Sequence, residues 1–231
     1  METTQLKIGS VEVEVKFKPI KNLHLSVHPP HGNVTVSSPE FFELEKVRIY
    51  LITKLGWIKR EQKKIANQER EGKKQFITRE SHHFLGKRYL LVVKESPKNY
   101  VILKHSQIEL HVKPDASIEA KKKILYSWYR KELKSQINVL IEKHAVIMNV
   151  NLPEFGIRIM KTKWGSCTTE SKKLWFNIEL AKKPIDCIEY IVVHEMVHLL
   201  ERNHNKNFVI LMDRYLSNWR LQKNILNELP I

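Results

Sequence analysis

The sequence predicts an α+β fold in which a β-rich N-terminal part with one long helix (1–114) precedes a helix-rich part (115–231) with a small antiparallel sheet. Two observations support this prediction. Near the N-terminus apolar residues alternate with polar ones, which is the period of a half-buried strand, whereas after Pro114 they recur at helical spacing. The 231 residues are 42% hydrophobic and 28% charged, with 7 Gly and 9 Pro. This composition is typical of a globular protein and excludes collagen-like, disordered and coiled-coil classes.

The first part is predicted to start as a meander of strands. Apolar side chains at positions 11, 13, 15 and 17 alternate with charged ones, Leu23–Val27 follows, and the turn Pro29–Asn33 leads into Val34–Val36. A helix is expected to open at Ser38-Pro39, where proline is tolerated, and to end near Gly72. Its apolar stripe consists of Phe42, Val47, Leu51, Leu55 and Ile58. Further strands are predicted at Tyr89–Val93, Tyr100–Leu103 and Ile108–Val112.

The second part is predicted to begin with a helix and a hairpin. The helix runs from Ser117 to about Met148 and buries one apolar face. The hairpin joins Phe155–Lys163 to Leu174–Ile178 through the loop Gly165–Lys173. A soft boundary between the two parts is placed near Pro114.

The third predicted helix contains a metal-binding motif. It starts at Pro184–Asp186, with Glu189 in capping-box register, and includes His194, Glu195 and His198 in the pattern H-E-x-x-H. Histidines at i and i+4 lie on one helix face, close enough to bind one ion, and the intervening glutamate can reach a water there. The helix is apolar nearly all round, so it should be buried, and unpartnered polar groups there are costly. A bound metal removes that cost.

The third ligand is expected to be His204, which stands ten residues after His194, as in metalloproteases with the pattern H-E-x-x-H-x-x-G-x-x-H. Glu201 occupies the position of the glycine in that pattern and lies at i+7 on the ligand face, so it is the rival third ligand. A pair of core histidines bonded to backbone carbonyls is the alternative without a metal. Three neutral imidazoles would leave one coordination position open, which is characteristic of catalytic zinc.

The motifs around this helix resemble those of a known family. They are Lys163-Trp164-Gly165-Ser166-Cys167, Phe176-Asn177, Tyr190-Ile191-Val192-Val193-His194-Glu195 through His198, and Asn203-His204-Asn205-Lys206-Asn207-Phe208. They are similar to the motifs of YgjP-like zinc metallopeptidases, relatives of the SprT and WLM zincins. The resemblance implies a zincin-like helical metallopeptidase domain that follows the β-rich part. It also implies one Zn²⁺ per chain on His194, His198 and His204, with Glu195 as the catalytic acid/base.

Candidate substrate-binding residues surround this motif. They are Asn177, Arg158, Lys161, Trp164 and Tyr215. Asn177 lies between apolar neighbours, where a structural hydrogen-bonding role is the alternative, and the two basic residues alternate along a strand in a way that suits phosphates. Arg214, beside Tyr215, is a further candidate for transition-state stabilisation. A nucleophilic role for Cys167 is disfavoured because no separate His–Asp arrangement is visible.

Three functions are compatible with this site. The first is a zinc-dependent metallopeptidase, and the second is a metal-dependent nucleoside-triphosphate pyrophosphatase or phosphohydrolase. The net charge of +15 favours polyanionic partners and motivates both the second and the third, a nucleic-acid-associated protease or binding module. Residues 54–74 carry eight basic and three acidic side chains, net +5, with Trp57 and Phe76 nearby. Such a helix can follow a phosphate backbone non-specifically, or form an ordinary solvated surface.

The sequence predicts a cytoplasmic protein without a membrane partner. The longest apolar runs are far shorter than the ~20 residues of a membrane span, and the first residues lack the pattern of a secretory signal. Two cysteines, Cys167 and Cys187, are too few for a disulfide framework.

Overall fold

A computed structural model describes residues 3–28, 31–67, 72, 74–168 and 170–228. The chain folds into two compact units, Met1–Arg70 and Glu71–Ile231. The boundary predicted near Pro114 therefore falls inside the second unit. Pro29 and Pro30 of the predicted first turn lie outside the described residues, as do positions 68–71 and 73 of the basic segment.

The first unit is a four-stranded sheet with one helix. Its elements are β1 (Thr3–Ile8), β2 (Val11–Lys18), β3 (His24–His28), β4 (Asn33–Pro39) and α1 (Leu44–Asn67). The strand order is β1-β2-β4-β3, with β2 and β4 parallel. Valines on one face of β2 and β4 pack with the α1 residues Val47, Leu51 and Ile58 in a separate apolar core.

The predicted start of this helix at Ser38-Pro39 is wrong. Both residues continue β4, where they pair with Phe17 and Lys18 of β2, and α1 begins only at Leu44. The proline is compatible with the strand because β3 pairs with β4 only as far as Ser37, so that Pro39 has β2 alone as its neighbour. The described part of α1 ends at Asn67, and the four residues before the predicted end, Gly72, lie outside the described residues.

The second unit begins with another four-stranded sheet. Its strands are β5 (Ser81–Phe84), β6 (Lys87–Glu95), β7 (Tyr100–Leu103) and β8 (Gln107–Val112), in the order β5-β6-β8-β7. The three predicted strands are confirmed, and the short β5 was not predicted. Helix α2 (Ile118–Met148) starts at the N-cap Ser117, whose side chain accepts a hydrogen bond from the Ala120 amide. Residues of the sheet and of α2 belong to one apolar core.

The three-stranded sheet near the metal-binding motif differs from the predicted hairpin. It contains β9 (Phe155–Arg158), β10 (Gly165–Thr168) and β11 (Lys173–Asn177), in the order β10-β11-β9. β9 pairs with β11 in parallel, and the hairpin is formed by β10 and β11. The predicted pairing is therefore wrong, and the small sheet, which the sequence predicts to be antiparallel, is mixed. In the sequence Gly-Ser-Cys-Thr of β10 only Thr168 belongs to a residue type enriched in strands, so the sequence pattern indicates a loop here.

Three helices complete the second unit: α3 (Ile185–Val197), α4 (Lys206–Tyr215) and α5 (Trp219–Glu228). The predicted capping box of α3 does not form, because Pro184 is the N-cap and provides no side-chain hydrogen bond. Glu189 instead bonds to Lys143 and His144 of α2, at 2.7 and 2.8 Å, and so connects the two helices. None of the helices in the described residues is long and apolar enough to cross a membrane.

Candidate metal centre and active site

Three histidines form a compact cluster at the end of α3. His194 and His198 lie one helical turn apart, and His204 comes from the segment between α3 and α4. One ring nitrogen from each lies within 4.8 Å of the others, and the Nε2 atoms of His194 and His204 are 3.0 Å apart. Their nitrogen atoms thus converge on one point from two chain segments.

Neighbouring residues hold these rings in place. The Nδ1 atom of His198 lies 3.1 Å from the Glu201 carbonyl oxygen, so Nδ1 is suited to donate a hydrogen bond to this oxygen. Nε2 is then the nitrogen that can bind a metal. Phe208 of α4 packs under the cluster, with its ring centroid 4.6–5.0 Å from those of all three histidines. The side chain of Glu201, the rival ligand, accepts a hydrogen bond from the Asn203 amide at 3.2 Å.

The electrostatics of the site favour neutral imidazoles at His194 and His204. Burial, together with the nearby His198 and His204, lowers the pKa of His194 to about 3. Burial and His198 also lower the pKa of His204. Neutral rings keep the lone pairs with which imidazole binds a transition metal, and three nitrogen donors are a set that zinc accepts.

Glu195 lies beside the cluster in an apolar environment. It is 5% exposed, and burial raises the pKa of its carboxyl to about 8, against a lowering effect of Lys163. The carboxylate packs on Gly165 of β10: a Cβ atom at that glycine would lie 2.6 Å from Oε1 and 2.7 Å from Cγ of Glu195. Only a residue without a side chain allows this approach.

An open cavity of about 630 Å³ contains the cluster. Strand β10 and the residues before it provide one wall, and α3 provides the other. The lining residues are Thr162, Lys163, Trp164, Gly165, Ser166, Cys167, Thr168, Glu170, Tyr190, Ile191, His194, Glu195, His198, Arg202 and His204. An extended chain entering this cavity would therefore meet the histidines, Glu195 and the backbone of β10 together.

Of the five predicted substrate-binding residues, Trp164 lines this cavity. Asn177 is buried, and its side-chain amide donates to the carbonyls of Met160 and Lys163, both at 2.9 Å. The same side chain accepts from the amides of Met160 and Glu179, each at 3.3 Å. In the structure Asn177 therefore secures the segment that leads to Trp164.

The remaining candidates lie elsewhere among the described residues. Arg158 is exposed at the end of β9, with its guanidinium 4.7 Å from the Trp175 ring, and Lys161 is exposed after that strand. Tyr215 is half-buried at the end of α4, where Arg214 lies over its ring. Cys167 does line the cavity, but burial and Glu195 raise the pKa of its thiol to about 11, which keeps it protonated.

Tyr190 and Arg202 line the cavity and were not predicted. Tyr190 precedes His194 by four residues, and its ring packs edge-on against that histidine and stacks on Trp219. Burial, followed by the charge of Glu195, raises the pKa of this phenol to about 12. Its position one turn before the first histidine is a signal that helical spacing could have provided.

Comparison with known proteins agrees with this geometry. The sequence profile "YgjP-like, metallopeptidase domain" matches residues 21–229. The chain belongs to the YgjP-like metallopeptidase family. Its implied activity is hydrolysis of peptides with a bound metal, and the histidine cluster lies within the matched region.

No curated protein sequence matches this YgjP-like chain. Two solved structures show a limited similarity to it. The zymogen of abylysin from Pyrococcus abyssi is 14% identical, with a TM-score of 0.37 over 41% of this chain and 99% of its own. The zymogen of jannalysin from Methanocaldococcus jannaschii is 23% identical, with a TM-score of 0.33 over 41% of this chain and 94% of its own.

Proposed function

We propose that this YgjP-like protein is a zinc-dependent peptidase whose single zinc ion is held by His194, His198 and His204. The observation that carries the proposal is the convergence of three histidine nitrogens within 4.8 Å, on the wall of a cavity that also contains Glu195. The metallopeptidase family supports peptide hydrolysis as the reaction.

The donor set fits zinc rather than a hard cation. Three imidazole nitrogens and no carboxylate form the cluster within the described residues, whereas Mg²⁺ and Ca²⁺ prefer oxygen ligands. When bound, zinc supplies Lewis acidity, which polarises the carbonyl under attack and lowers the pKa of water.

Glu195 is the proposed general base and acid. Its carboxyl lines the same cavity as the three histidines, where it can accept a proton from the attacking water and return it to the leaving amine. Contact with Gly165 restricts the carboxylate to the side of the cavity that faces β10. Proton transfer is thereby confined to the place where the substrate backbone would lie.

Strand β10 is the proposed substrate-binding edge. It is the outer strand in the order β10-β11-β9, and all four of its residues, Gly165–Thr168, line the cavity. An extended peptide can pair with such an edge through main-chain hydrogen bonds. Trp164 and Tyr190 then offer aromatic surface for neighbouring side chains.

The decisive experiment compares Glu195→Gln with wild type. Purified protein is loaded with zinc, its zinc content is measured by mass spectrometry, and hydrolysis of unfolded casein is followed. We expect one zinc per chain in both proteins and a loss of turnover of about 100-fold or more in Glu195→Gln. Asp186→Asn, an exposed acid at the other end of α3, is the matched control and should keep wild-type activity. Casein hydrolysis retained in Glu195→Gln would contradict the proposed mechanism.

The third ligand is tested in the same assay. His204→Ala should weaken zinc binding by orders of magnitude, whereas Glu201→Gln should leave it unchanged. The reverse result would assign the third position to Glu201.

The two other candidate functions are nucleotide hydrolysis and association with nucleic acid. The cavity wall combines Lys163 and Arg202 with Glu170 and Glu195, so it is not a predominantly basic phosphate site. If the wild-type protein nevertheless releases pyrophosphate from nucleoside triphosphates and Glu195→Gln does not, the substrate is a nucleotide rather than a peptide. For nucleic acid, the described part of the basic segment has an exposed Trp57, but Phe76 is buried in the core of the second unit.

Both cysteines are free thiols, which fits the proposed cytoplasmic location.

A further inference from the structure

A second cavity, of about 590 Å³, lies between strand β7 and helix α2. It shares no lining residue with the cavity that contains the histidine cluster. Its walls include Tyr100 and Val101 of β7 and a stripe of α2 that contains Lys123, Ile124, Trp128 and Lys131. We call this cavity the β7–α2 groove.

The backbone of β7 forms an open edge beside this groove. Among the described strands, β7 pairs only with β8 and is the last in the order β5-β6-β8-β7. The Lys104 amide donates to the Gln107 carbonyl at 2.8 Å, and hydrogen-bonded pairs alternate with non-bonded pairs in an antiparallel ladder. Val101, opposite Leu110, occupies a non-bonded pair. Its amide and carbonyl therefore point away from β8.

The side chains at this edge are unusually apolar for a solvent-facing strand. Tyr100, Ile102 and Leu103 are 42%, 39% and 40% exposed. Exposed apolar edges invite pairing with another chain, and globular proteins normally cover or charge them. Across the groove, the half-buried Ile124 and Trp128 of α2 offer an apolar surface to whatever pairs with β7.

The charges of the groove select its occupant. Both charged lining residues, Lys123 and Lys131, are exposed lysines, and none of the described lining residues is acidic. They stand eight positions apart on α2, which corresponds to about 12 Å of helix. In an extended chain, residues four positions apart point to the same side and are about 13 Å apart. Two acidic residues flanking one apolar residue, in the pattern acid-x-apolar-x-acid, therefore match the two lysines and the apolar surface between them.

A second copy of the chain fits this groove less well. Its β7 is flanked by Lys98 and Lys104 and contains no acidic residue, so edge-to-edge pairing would bring lysines together. Like charges placed opposite each other destabilise such a contact.

We propose that the β7–α2 groove binds an extended acidic segment of a partner protein, which adds to β7 as a further strand. The main-chain groups of Val101 pair with the segment, Ile124 and Trp128 receive its central apolar side chain, and Lys123 and Lys131 pair with its two acids. This inference is independent of the proposed peptidase activity, because no residue of the histidine-lined cavity takes part in it.

The test measures fluorescence anisotropy with a labelled heptapeptide, Ser-Glu-Thr-Val-Thr-Glu-Ser, and the full-length chain carrying Glu195→Gln to prevent cleavage. We expect saturable binding that weakens about tenfold or more when both groove lysines are reversed, as Lys123→Glu with Lys131→Glu. The matched control, Lys122→Glu with Lys134→Glu, changes charge equally on the same helix but outside the groove, and should bind within about twofold of the parent. Circular dichroism establishes that all variants fold.

Two modified peptides test the geometry. Replacement of both glutamates by lysine, or N-methylation of the three central amides, should each abolish binding, because the first removes the charge match and the second the pairing donors. Absence of saturable binding up to about 1 mM, which corresponds to about −4 kcal/mol, would overturn the proposal. It would also be overturned by an equal loss in both double variants, or by equal binding of the lysine peptide. Concentration-dependent dimerisation without peptide binding would assign the groove to a second copy instead.

Discussion

At the scale of single residues, the contact between Gly165 and Glu195 restricts position 165 to glycine. Any β-carbon at position 165 would collide with the Glu195 carboxylate, whose closest atom lies 2.6 Å from the ideal Cβ position. We expect Gly165→Ala to keep the fold and one zinc per chain, while kcat/KM falls about 100-fold because Glu195, the proposed general base, is displaced. Steady-state kinetics on casein together with zinc analysis would check this.

The matched control is Gly56→Ala. Gly56 lies inside α1, and its Cβ would meet only the Arg60 guanidinium, at 3.8 Å. This substitution should leave kcat/KM unchanged and raise the free energy of unfolding by about 0.5–1 kcal/mol, since alanine is the better helix former. Wild-type activity in Gly165→Ala would show that the position of Glu195 seen here is not required.

The sequence could predict those residues of the candidate site whose relationship is local. His194 and His198 follow from helical periodicity alone, and the H-E-x-x-H pattern gives Glu195 its place beside them. The sequence could not predict why residue 165 must be glycine, because this requirement depends on how β10 packs against α3. Asn177 illustrates the same limit: its hydrogen bonds to Met160 and to residues 163 and 179 exist only once the surrounding segments have assembled.

At the scale of elements, the short helix α4 positions both His204 and Phe208. Its N-cap is Asn205, whose Oδ1 accepts a hydrogen bond from the Phe208 amide at 3.0 Å. We expect Asn205→Ala to lower the free energy of unfolding by about 1 kcal/mol and to weaken zinc binding about tenfold, because the cap immediately follows His204, the proposed third ligand. Thermal unfolding and zinc competition with a chromophoric chelator measure the two effects.

Asn205→Asp is the matched control, since aspartate retains the acceptor oxygen of the cap. Asn205→Asp should keep both the free energy of unfolding and the zinc affinity close to their wild-type values. Equal losses in the alanine and aspartate variants would mean that the cap does not position His204.

The sheet of the second unit contains a buried carboxylate that should make its stability depend on pH. Glu109 of β8 lies 2.8 Å from the ammonium groups of both Lys94 and Lys104. Hydrogen bonds from Lys104, then from Lys94, lower the pKa of Glu109 to about 2, from its usual 4.5. A carboxyl with a lowered pKa stabilises the fold above its unfolded-state pKa, and this contribution is lost as the pH falls towards the folded-state value.

We therefore expect Glu109→Gln to lower Tm at pH 7, and the difference from wild type to shrink as the pH falls from 4.5 towards 2. Differential scanning calorimetry across this range gives the profile. Glu95→Gln, which removes an exposed carboxyl of β6 in the same sheet, is the control and should not show a pH-dependent difference of this kind. A constant Tm difference for Glu109→Gln would contradict the proposed charge pairing.

The elements themselves were predicted more reliably than their pairing. Helix α2 follows from a long periodic pattern, and β2 follows from strict alternation. The parallel pairing of β9 with β11 was missed because it joins segments that are separated by a whole strand. Pairing of this kind is decided by packing against the core, which the pattern of one segment does not contain.

At the scale of the whole molecule, the position of the domain boundary can be tested by comparing the fragments 71–231 and 115–231. The larger core cluster extends from Phe76 to Leu226 and includes apolar residues of β6, β8 and α2 together with those around the histidines. We expect the fragment 71–231 to fold cooperatively and to bind one zinc ion, because it retains this whole cluster. Circular dichroism during thermal unfolding and zinc analysis would check both properties.

The fragment 115–231, which starts at the boundary predicted near Pro114, should not fold. Without the sheet, the buried residues Leu125 and Tyr129 of α2 lose their apolar partners, and the Tyr129 hydroxyl loses its bond to the His83 carbonyl at 2.9 Å. Exposing large core side chains costs about 2–3 kcal/mol each, so a few of them exceed the stability of a typical domain. If the fragment 115–231 instead folds cooperatively and binds zinc with full affinity, the domain boundary lies at Pro114. The preceding sheet is then not required for the metal site.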